Sequence, residues 1–310
     1  MRVSILIPCY NAARWIRQCI ESALAQDGAD REVIVVDDGS SDGSASIIRE
    51  FAGRIRWESG PNRGSNPTRN RLLELATGEW LQYLDADDYL LPAKISSQLQ
   101  QSPAPEADVL YGPVTLEHWT EQGSRLELLP IPEPHDPWVL LARWFLPQTG
   151  AALWRRRTLI EVGGWKQDQP ACQEHELYLR LLMAGKSLVY GAAGGAVYRQ
   201  WSEGTLWKRD RPQTRRLRAE ILQRCEDHLR TGGLLTAERL WAINQARFES
   251  ARSAWQSDHT EARTLVETIH RSQPGFIPAG DAAPPAYRVL FRWLGFSPTE
   301  RLADLRRWVR

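Results

Sequence analysis

Residues 33–44, VIVVDDGSSDGS, set four β-branched apolar residues directly ahead of two aspartates, a glycine and two serines. An apolar run this short reads as a buried strand of a parallel sheet, not as a helix. Asp37 and Asp38 therefore stand where a strand ends. The same arrangement recurs at residues 80–88, WLQYLDADD, where a strand over 80–84 runs into Asp85, Asp87 and Asp88. Upstream, VSILIP at 3–8 reads as a further strand, and residues 12–25 between the first two strands place Ile16, Cys19, Ile20, Ala23 and Leu24 on one helical face. The alternation continues with helices near 42–52, 67–76 and 92–101 and a strand near 54–58. A β-α-β-α series of this kind predicts an α/β fold, an open and mostly parallel sheet flanked by helices. Ligands of such sheets lie beyond the carboxyl ends of the strands, so the residues just after each strand matter most.

Five carboxylates are thus aimed at one sheet edge. Asp followed by Gly or Ser is also common turn and helix-cap chemistry, and Ser41 or Asp42 could simply cap the next helix. Two such clusters together are harder to read that way, because their like charges repel unless a cation or a set of donors lies between them. An Asp-x-Asp pair on a turn offers hard oxygens to Mg²⁺ or Mn²⁺, ions that keep open positions for phosphate oxygens. The chain has neither a P-loop nor a G-x-G-x-x-G after its first strand. Phosphate binding here is accordingly expected to be led by a metal, with help from Arg63 and Arg69.

Composition excludes other classes. The chain has 310 residues, with 39 basic against 38 acidic side chains and 42% hydrophobic residues, which fits one large or two modest folded domains and excludes disorder. A net charge of +1 gives no global pull on nucleic acid. Cys9, Cys19, Cys172 and Cys225 show neither C-x-x-C spacing nor a histidine partner for zinc. The opening MRVSILIPCYN has too short an apolar run for a signal-peptide core, and no stretch approaches the ~18 apolar residues of a membrane span. The expected location is cytoplasmic, with membrane contact only at the protein's surface.

VSILIPCYN, VIVVDDGSSDGS, NRGSNPTRN and GEWLQYLDADDYLLP, in this order, resemble the nucleotide-binding half of the family 2 glycosyltransferases of the GT-A fold. TGAALWRRRTLIEVGGW followed by QEHELYLRLLMAG resembles the acceptor half, so the likeness covers roughly residues 1–205. The resemblance implies a Rossmann-like catalytic domain with a nucleotide-sugar-binding half over 1–100 and an acceptor half over 101–205. It also implies an enzyme that moves a sugar from a nucleotide-diphosphate donor to an acceptor hydroxyl with inversion, using Mn²⁺ or Mg²⁺. Carried over by position, Pro8 and Tyr10 line the base pocket, Asp38 accepts a hydrogen bond from the base, Asp85 faces the ribose and diphosphate, and Asp87 holds the metal.

Inversion needs a general base opposite the leaving group. Gln173-Glu174-His175-Glu176-Leu177 opens a helix with Leu177, Leu181 and Leu182 toward the core. The family's usual run is Glu-Asp-x-Asp-Leu, and alignment on Leu177 and Arg180 puts Glu174 at the base position, with Glu176 second. First-turn acids also simply offset a helix dipole. The chain departs from the pattern at Gln173, where an acid is common, and at Trp201, where relatives often carry a histidine for the metal or diphosphate. Trp201 could stack on a sugar or pack. Arg155-Arg156-Arg157 reads as a solvated helix start, or as a contact for an anionic acceptor.

Beyond residue 205 the pattern turns helical: a bundle over 206–272, then a Pro/Gly-rich linker and an amphipathic basic helix over 273–310. Residues 201–310 hold 19 Lys or Arg against 13 Asp or Glu, whereas the first 200 hold 20 against 25. An acidic catalytic half suits a metal-dependent site, and a basic aromatic tail suits either anionic lipid headgroups or packing on the protein. The expected partners are a nucleotide-sugar donor, a glycan or lipid-linked acceptor and an anionic membrane, in assembly of surface polysaccharide or glycolipid. A second reading, prompted by Gln173 and Trp201, is a catalytically weak sugar-nucleotide or glycan-binding module. A nucleotidyltransferase would need a Gly-rich loop where Pro8-Cys9-Tyr10-Asn11 stands, and a dinucleotide-dependent dehydrogenase fails for the same reason.

Overall fold

The computed structural model describes residues 1–28, 30–100, 106–120, 123–200 and 211–308. Residues up to 137 and from 145 to 200 form one compact unit, and residues 138–144 and 211–308 form a second.

The first unit is built on a seven-stranded sheet. Its strands are β1 (Arg2–Cys9), β2 (Asp30–Asp37), β3 (Arg56–Ser59), β4 (Trp80–Tyr83), β6 (Val109–Tyr111), β9 (Ala152–Arg155) and β10 (Leu188–Tyr190), in the order β10-β6-β9-β4-β1-β2-β3. β1 is parallel to β2 and β4, and β2 to β3. β9 alone runs against its neighbours β4 and β6. Ile5, Leu6 and Ile7 of β1 are fully buried, as a central strand covered on both faces requires. Helix α1 (Ile16–Leu24) buries Ile16, Cys19, Ile20 and Ala23, the stripe its spacing predicts.

Helices α2 (Ser44–Glu50), α3 (Ser65–Leu75) and α4 (Lys94–Gln100) complete the first hundred residues. α3 departs from an ordinary amphipathic helix, because Asn66, Thr68 and Arg69 are buried along with Leu72, Leu73 and Leu75. Its first two turns therefore face a polar interior. A smaller sheet of β5 (Tyr89–Leu90), β7 (Val114–Thr120), β8 (Gly123–Leu129) and β11 (Ala196–Gln200), ordered β5-β11-β7-β8, joins the acidic turn after β4 to strands from later in the unit. Helices α6 (Arg156–Glu161) and α7 (Gln173–Met183) follow β9. Arg155, read from sequence as part of a solvated run, is buried: it donates to Ala107 O and to Glu79 Oε1 and lies over the Trp80 ring.

The second unit contains most of α5 (Pro137–Ala142) and the helices α8 (Arg211–Thr231), α9 (Ala237–Trp255), α10 (His259–Ser272), α11 (Pro285–Leu294) and α12 (Phe296–Trp308). Thr236 caps α9 through Arg239 N, and Asp258 caps α10 through Thr260 N and Glu261 N. Phe248 is the hub of its core, with ring contacts to Phe276, Tyr287, Phe291 and Phe296. Two sequence expectations change here. The Pro/Gly-rich segment is not a free linker, since Phe276 and Ala283 are buried in that core. The tail is also two helices, broken at Gly295, whose φ of +75° lies in the left-handed region that glycine adopts at low cost. Among the described residues no helix is long and apolar enough to cross a membrane.

Candidate active site

The site is assembled from loops at the carboxyl ends of β1, β2 and β4. After β1, Asn11 adopts φ +50°, accepts from Ser41 N at 2.8 Å and donates its own N–H to Ser40 Oγ at 2.9 Å. This ties the first loop to the second. Tyr10 projects from it, 54% exposed, next to the half-buried Pro8. After β2, the Asp37 carboxylate accepts from Ser40 N and Ser59 Oγ. Asp38 accepts from Arg63 N at 2.8 Å and Gly64 N at 2.9 Å, and so fixes the loop that starts α3. The crossing is tight: a Cβ on Gly39, at φ +76°, would come within 2.7 Å of Asn62 N.

The turn after β4 concentrates the charge. Asp85 Oδ1 accepts from Arg69 Nη2 at 2.9 Å, and the partly exposed Asp87 lies two residues on. Asp88 is 2% exposed; its Oδ1 accepts from Arg199 N at 2.9 Å, and its Oδ2 has no hydrogen-bond partner. Burial pushes the Asp88 carboxyl well above the usual range, and the charges of Asp87 and Asp85 add to this. Arg199 holds the turn in place. Its guanidinium donates to Asp87 O at 2.7 Å, Glu117 Oε2 at 3.0 Å and Gln18 Oε1 at 2.5 Å, and its carbon lies 4.5 Å from both the Trp15 and Tyr89 ring centres.

From the later part of the unit, α7 enters the same region. Cys172, at φ +56°, turns the chain so that Gln173 and Glu174 lead the helix. Thr149, in the 3-10 turn Thr149–Ala151 ahead of β9, donates to Glu174 Oε1 at 2.7 Å. Gln173 Oε1 accepts from Arg69 Nη1 at 2.6 Å, while its Nε2 donates to Ser65 Oγ at 2.9 Å. Arg69, lying 4.8 Å from the Trp165 ring centre, thus links the acidic turn to the start of α7. Burial acts against its charge, yet the attraction of Asp85 and Glu174 raises its pKa above the ordinary value. Tyr198 on β11 is pushed up by burial and then by Asp88, Asp85, Asp87 and Glu174 in turn. One phenol therefore feels both the acidic turn and the leading acid of α7.

The sequence profile of Glycosyl transferase family 2 matches residues 4–161, about half the chain and the span that carries the acidic edge. The chain belongs to glycosyl transferase family 2. A chondroitin synthase of Pasteurella multocida (strain Pm70) is 39% identical over 102 residues, which is 32% of this chain and 11% of that protein. The chain spans 10% of the length of a hyaluronan synthase of Pasteurella multocida and 62% of a Mycobacterium tuberculosis relative. Among solved structures, S. aureus TarS 1–349 in complex with UDP-GlcNAc superposes with a TM-score of 0.58 at 16% identity, over 91% of this chain and 95% of that one. The mannosyltransferase PcManGT of Pyrobaculum calidifontis, in complex with GDP-Man and Mn²⁺, gives 0.50 at 18% identity, over 88% and 81%. At these identities the likeness is one of fold, and it is the GT-A-type fold that the sequence predicts.

Within the family 2 fold the expected site residues divide. Asp38, Asp85, Asp87 and Glu174 lie on the loops and helix start just described. Arg69 is buried, and its guanidinium is engaged by Asp85 and Gln173. Arg63 is exposed and meets Asp38 through its backbone N–H. Glu176 turns inward: it is buried and accepts from Arg180 Nε at 2.8 Å, and Arg180 also donates to Val162 O and Gly164 O. That pair fastens α7 to the turn after α6. Trp201 lies outside the described residues.

Among the described residues no group of three His, Cys, Asp or Glu side chains converges as a metal cage. The acidic turn still has the chemistry for a hard cation, with Asp87 and the second oxygen of Asp85 as acceptors and the partnerless buried oxygen of Asp88 beside them. Such a pair of ligands fits a cation that receives its remaining oxygens from a bound phosphate. Sequence reasoning missed Thr149, Tyr198 and Arg199. Thr149 opens the TGAALW motif and Arg199 is a charged residue inside an otherwise strand-like AVYRQ, but neither pattern reveals its partner.

Proposed function

We propose that the chain is an inverting glycosyltransferase that moves a sugar from a nucleotide-diphosphate sugar to an acceptor hydroxyl, in assembly of a cell-surface polysaccharide or glycolipid. The observation that carries this reading is the Arg69 bridge, whose guanidinium donates to Asp85 of the acidic turn and to Gln173, the residue before Glu174. It ties an acidic edge suited to a cation and a diphosphate to the helix start that carries a candidate base. The family membership, the nucleotide sugars held by TarS and PcManGT, and the synthase activity named for the P. multocida relative support the same reaction class.

In this reading Pro8 and Tyr10 receive the base, and Asp38, which already fixes the loop before α3, accepts from it. Asp85, oriented by Arg69, faces the ribose and diphosphate. Asp87, with Asp85, would hold Mn²⁺ or Mg²⁺, which when bound neutralises the charge that develops on the diphosphate. Glu174 takes the proton of the attacking hydroxyl, and Thr149 holds one of its oxygens so that the other points at the acceptor. Glu176, committed to Arg180, is left as a structural acid. The weak-binding alternative loses part of its motive, because Gln173 contributes both an acceptor to Arg69 and a donor to Ser65, which a carboxylate could not do. The acceptor is a glycan or lipid-linked, presented at the inner face of a membrane, with contact through the basic C-terminal segment.

The test is turnover of UDP- and GDP-sugars with Mn²⁺, measured as release of nucleoside diphosphate. Glu174→Gln is expected to lower kcat by about 10²–10⁴, the usual contribution of a general base, at unchanged donor affinity. Glu176→Gln should mainly lower stability. Full turnover in Glu174→Gln would remove Glu174 from the base role.

A further inference from the structure

The outer face of α11 and the start of α12 has a chemistry that the inner face does not explain. On α11, Tyr287 and Phe291 lie one turn apart and are buried against Phe248. Val289 and Trp293, also one turn apart, fall on the opposite side, and Trp293 is 80% exposed. Arg288 and Arg292 form an exposed ridge between these two faces. Beyond Gly295, Leu302 and Leu305 are exposed as well, Leu305 to 65%, with Arg301 exposed beside them.

The two carboxylates of the segment are turned away from this face. Glu300 is fully buried and accepts from Arg252 Nε and Tyr287 OH, and Asp304 accepts from Trp255 Nε1 at 2.9 Å. The fold thus sorts side chains along 285–305: the acids go to the bundle with Tyr287, Phe291 and Phe296, while the arginines and Val289, Trp293, Leu294, Leu302 and Leu305 go to the surface. Composition alone cannot show this.

We propose that this face is a peripheral docking surface for an anionic lipid bilayer, with Val289, Trp293, Leu294, Leu302 and Leu305 entering the headgroup boundary and Arg288, Arg292 and Arg301 contacting acidic headgroups. The inference rests on the membrane-side partner of the function proposed above and specifies its surface. Charge complementarity favours lipid over a second copy of this chain, since two such faces would bring arginine against arginine. Tryptophan beside arginine is the composition of an interfacial helix, where the indole occupies the boundary and the guanidinium reaches the phosphates.

The test is co-sedimentation of the full chain with vesicles of phosphatidylcholine alone or mixed with phosphatidylglycerol, without donor or acceptor. Binding is expected only to the anionic vesicles, and should fall steeply between ~0.05 and ~0.5 M salt as the Debye length shrinks. Replacing Arg288, Arg292 and Arg301 by alanine should lower the partition coefficient by roughly fivefold per arginine. Trp293→Ser should lower it with the charge unchanged. All four positions are exposed, and an unchanged melting temperature shows that the variants fold. Equal binding to both vesicle types, or undiminished binding by the arginine variant, overturns the proposal. So does self-association of the free protein that Trp293→Ser abolishes, which would make the face a dimer surface. Nucleotide-sugar turnover by the arginine variant, assayed without vesicles, reports separately on the transferase reading.

Discussion

Arg69 shows how much of the site's order rests on contacts among its own side chains. Its buried guanidinium lies between Asp85 and Gln173, with Glu174 in its field, so one cation sets the orientation of both halves. Thr149 does the same work for the proposed base, through a single 2.7 Å bond. A hydrogen bond to a charged group contributes ~1.5–3 kcal/mol. Thr149→Val, close to isosteric, should therefore lower kcat by about 10- to 100-fold with the donor KM unchanged, and Thr149→Ser should restore most of it. A KM change of the same size as the loss in kcat/KM would place Thr149 in donor binding instead. The positions of the aspartates follow from where strands end, and a helix start marks Glu174 and Glu176 together, but the choice of Glu174 comes only from the family resemblance. Arg69, Thr149 and Arg199 were not legible in their roles, because each acts through partners far along the chain, 104 residues away for Gln173 and 112 for Asp87 O.

At the level of elements, β1, β2, β4 and α1 were readable from apolar pattern alone, since these strands carry buried apolar runs and α1 has one apolar face, whereas β3 is only partly buried. The smaller sheet was not, because β5 has only two residues and β8 is exposed throughout. α4 shows a further limit. It looks amphipathic, yet it buries Lys94 beside Ile95. Lys94 Nζ donates to Gln82 Oε1, Gln82 Nε2 donates to Gly150 O at 2.8 Å, and Gln98 Nε2 donates to Ala151 O at 2.9 Å. α4 thereby supports the turn that carries Thr149. Burial holds the Lys94 amine well below its ordinary pKa. The unfolded chain keeps that proton up to about pH 10.4, whereas the folded chain releases it earlier. Between the two values unfolding takes up a proton, so this group makes stability rise with pH, by at most about 1.4 kcal/mol per pH unit. Denaturant unfolding at several pH values across the alkaline range should show this rise in the native protein relative to Lys94→Met. Parallel curves for the two proteins would contradict the neutral, buried amine.

Across the whole molecule the near-zero net charge conceals a division, with an acidic excess in the first 200 residues and a basic excess in the last 110. Three of these acids, Asp85, Asp87 and Asp88, share the turn after β4, where burial first and then the charges of Asp87 and Asp85 raise the Asp88 pKa. A ligand that brings a cation and a diphosphate to the turn after β4 relieves that repulsion, so its binding should appear as stabilisation of the fold. For a ligand at 100 times its Kd the gain is about 2.7 kcal/mol, enough to raise a melting temperature by a few degrees in a chain of this size. UDP or GDP with Mn²⁺ is therefore expected to raise the melting temperature more than either the nucleotide or the metal alone. Asp87→Ala should retain the small shift due to nucleotide but lose the increment that depends on metal, whereas Glu174→Gln should keep both. A thermal-shift titration of the three proteins with EDTA as the metal-free control decides it. An intact metal increment in Asp87→Ala would move the cation elsewhere on the acidic edge, and no shift with any nucleotide would remove the donor site from this cleft.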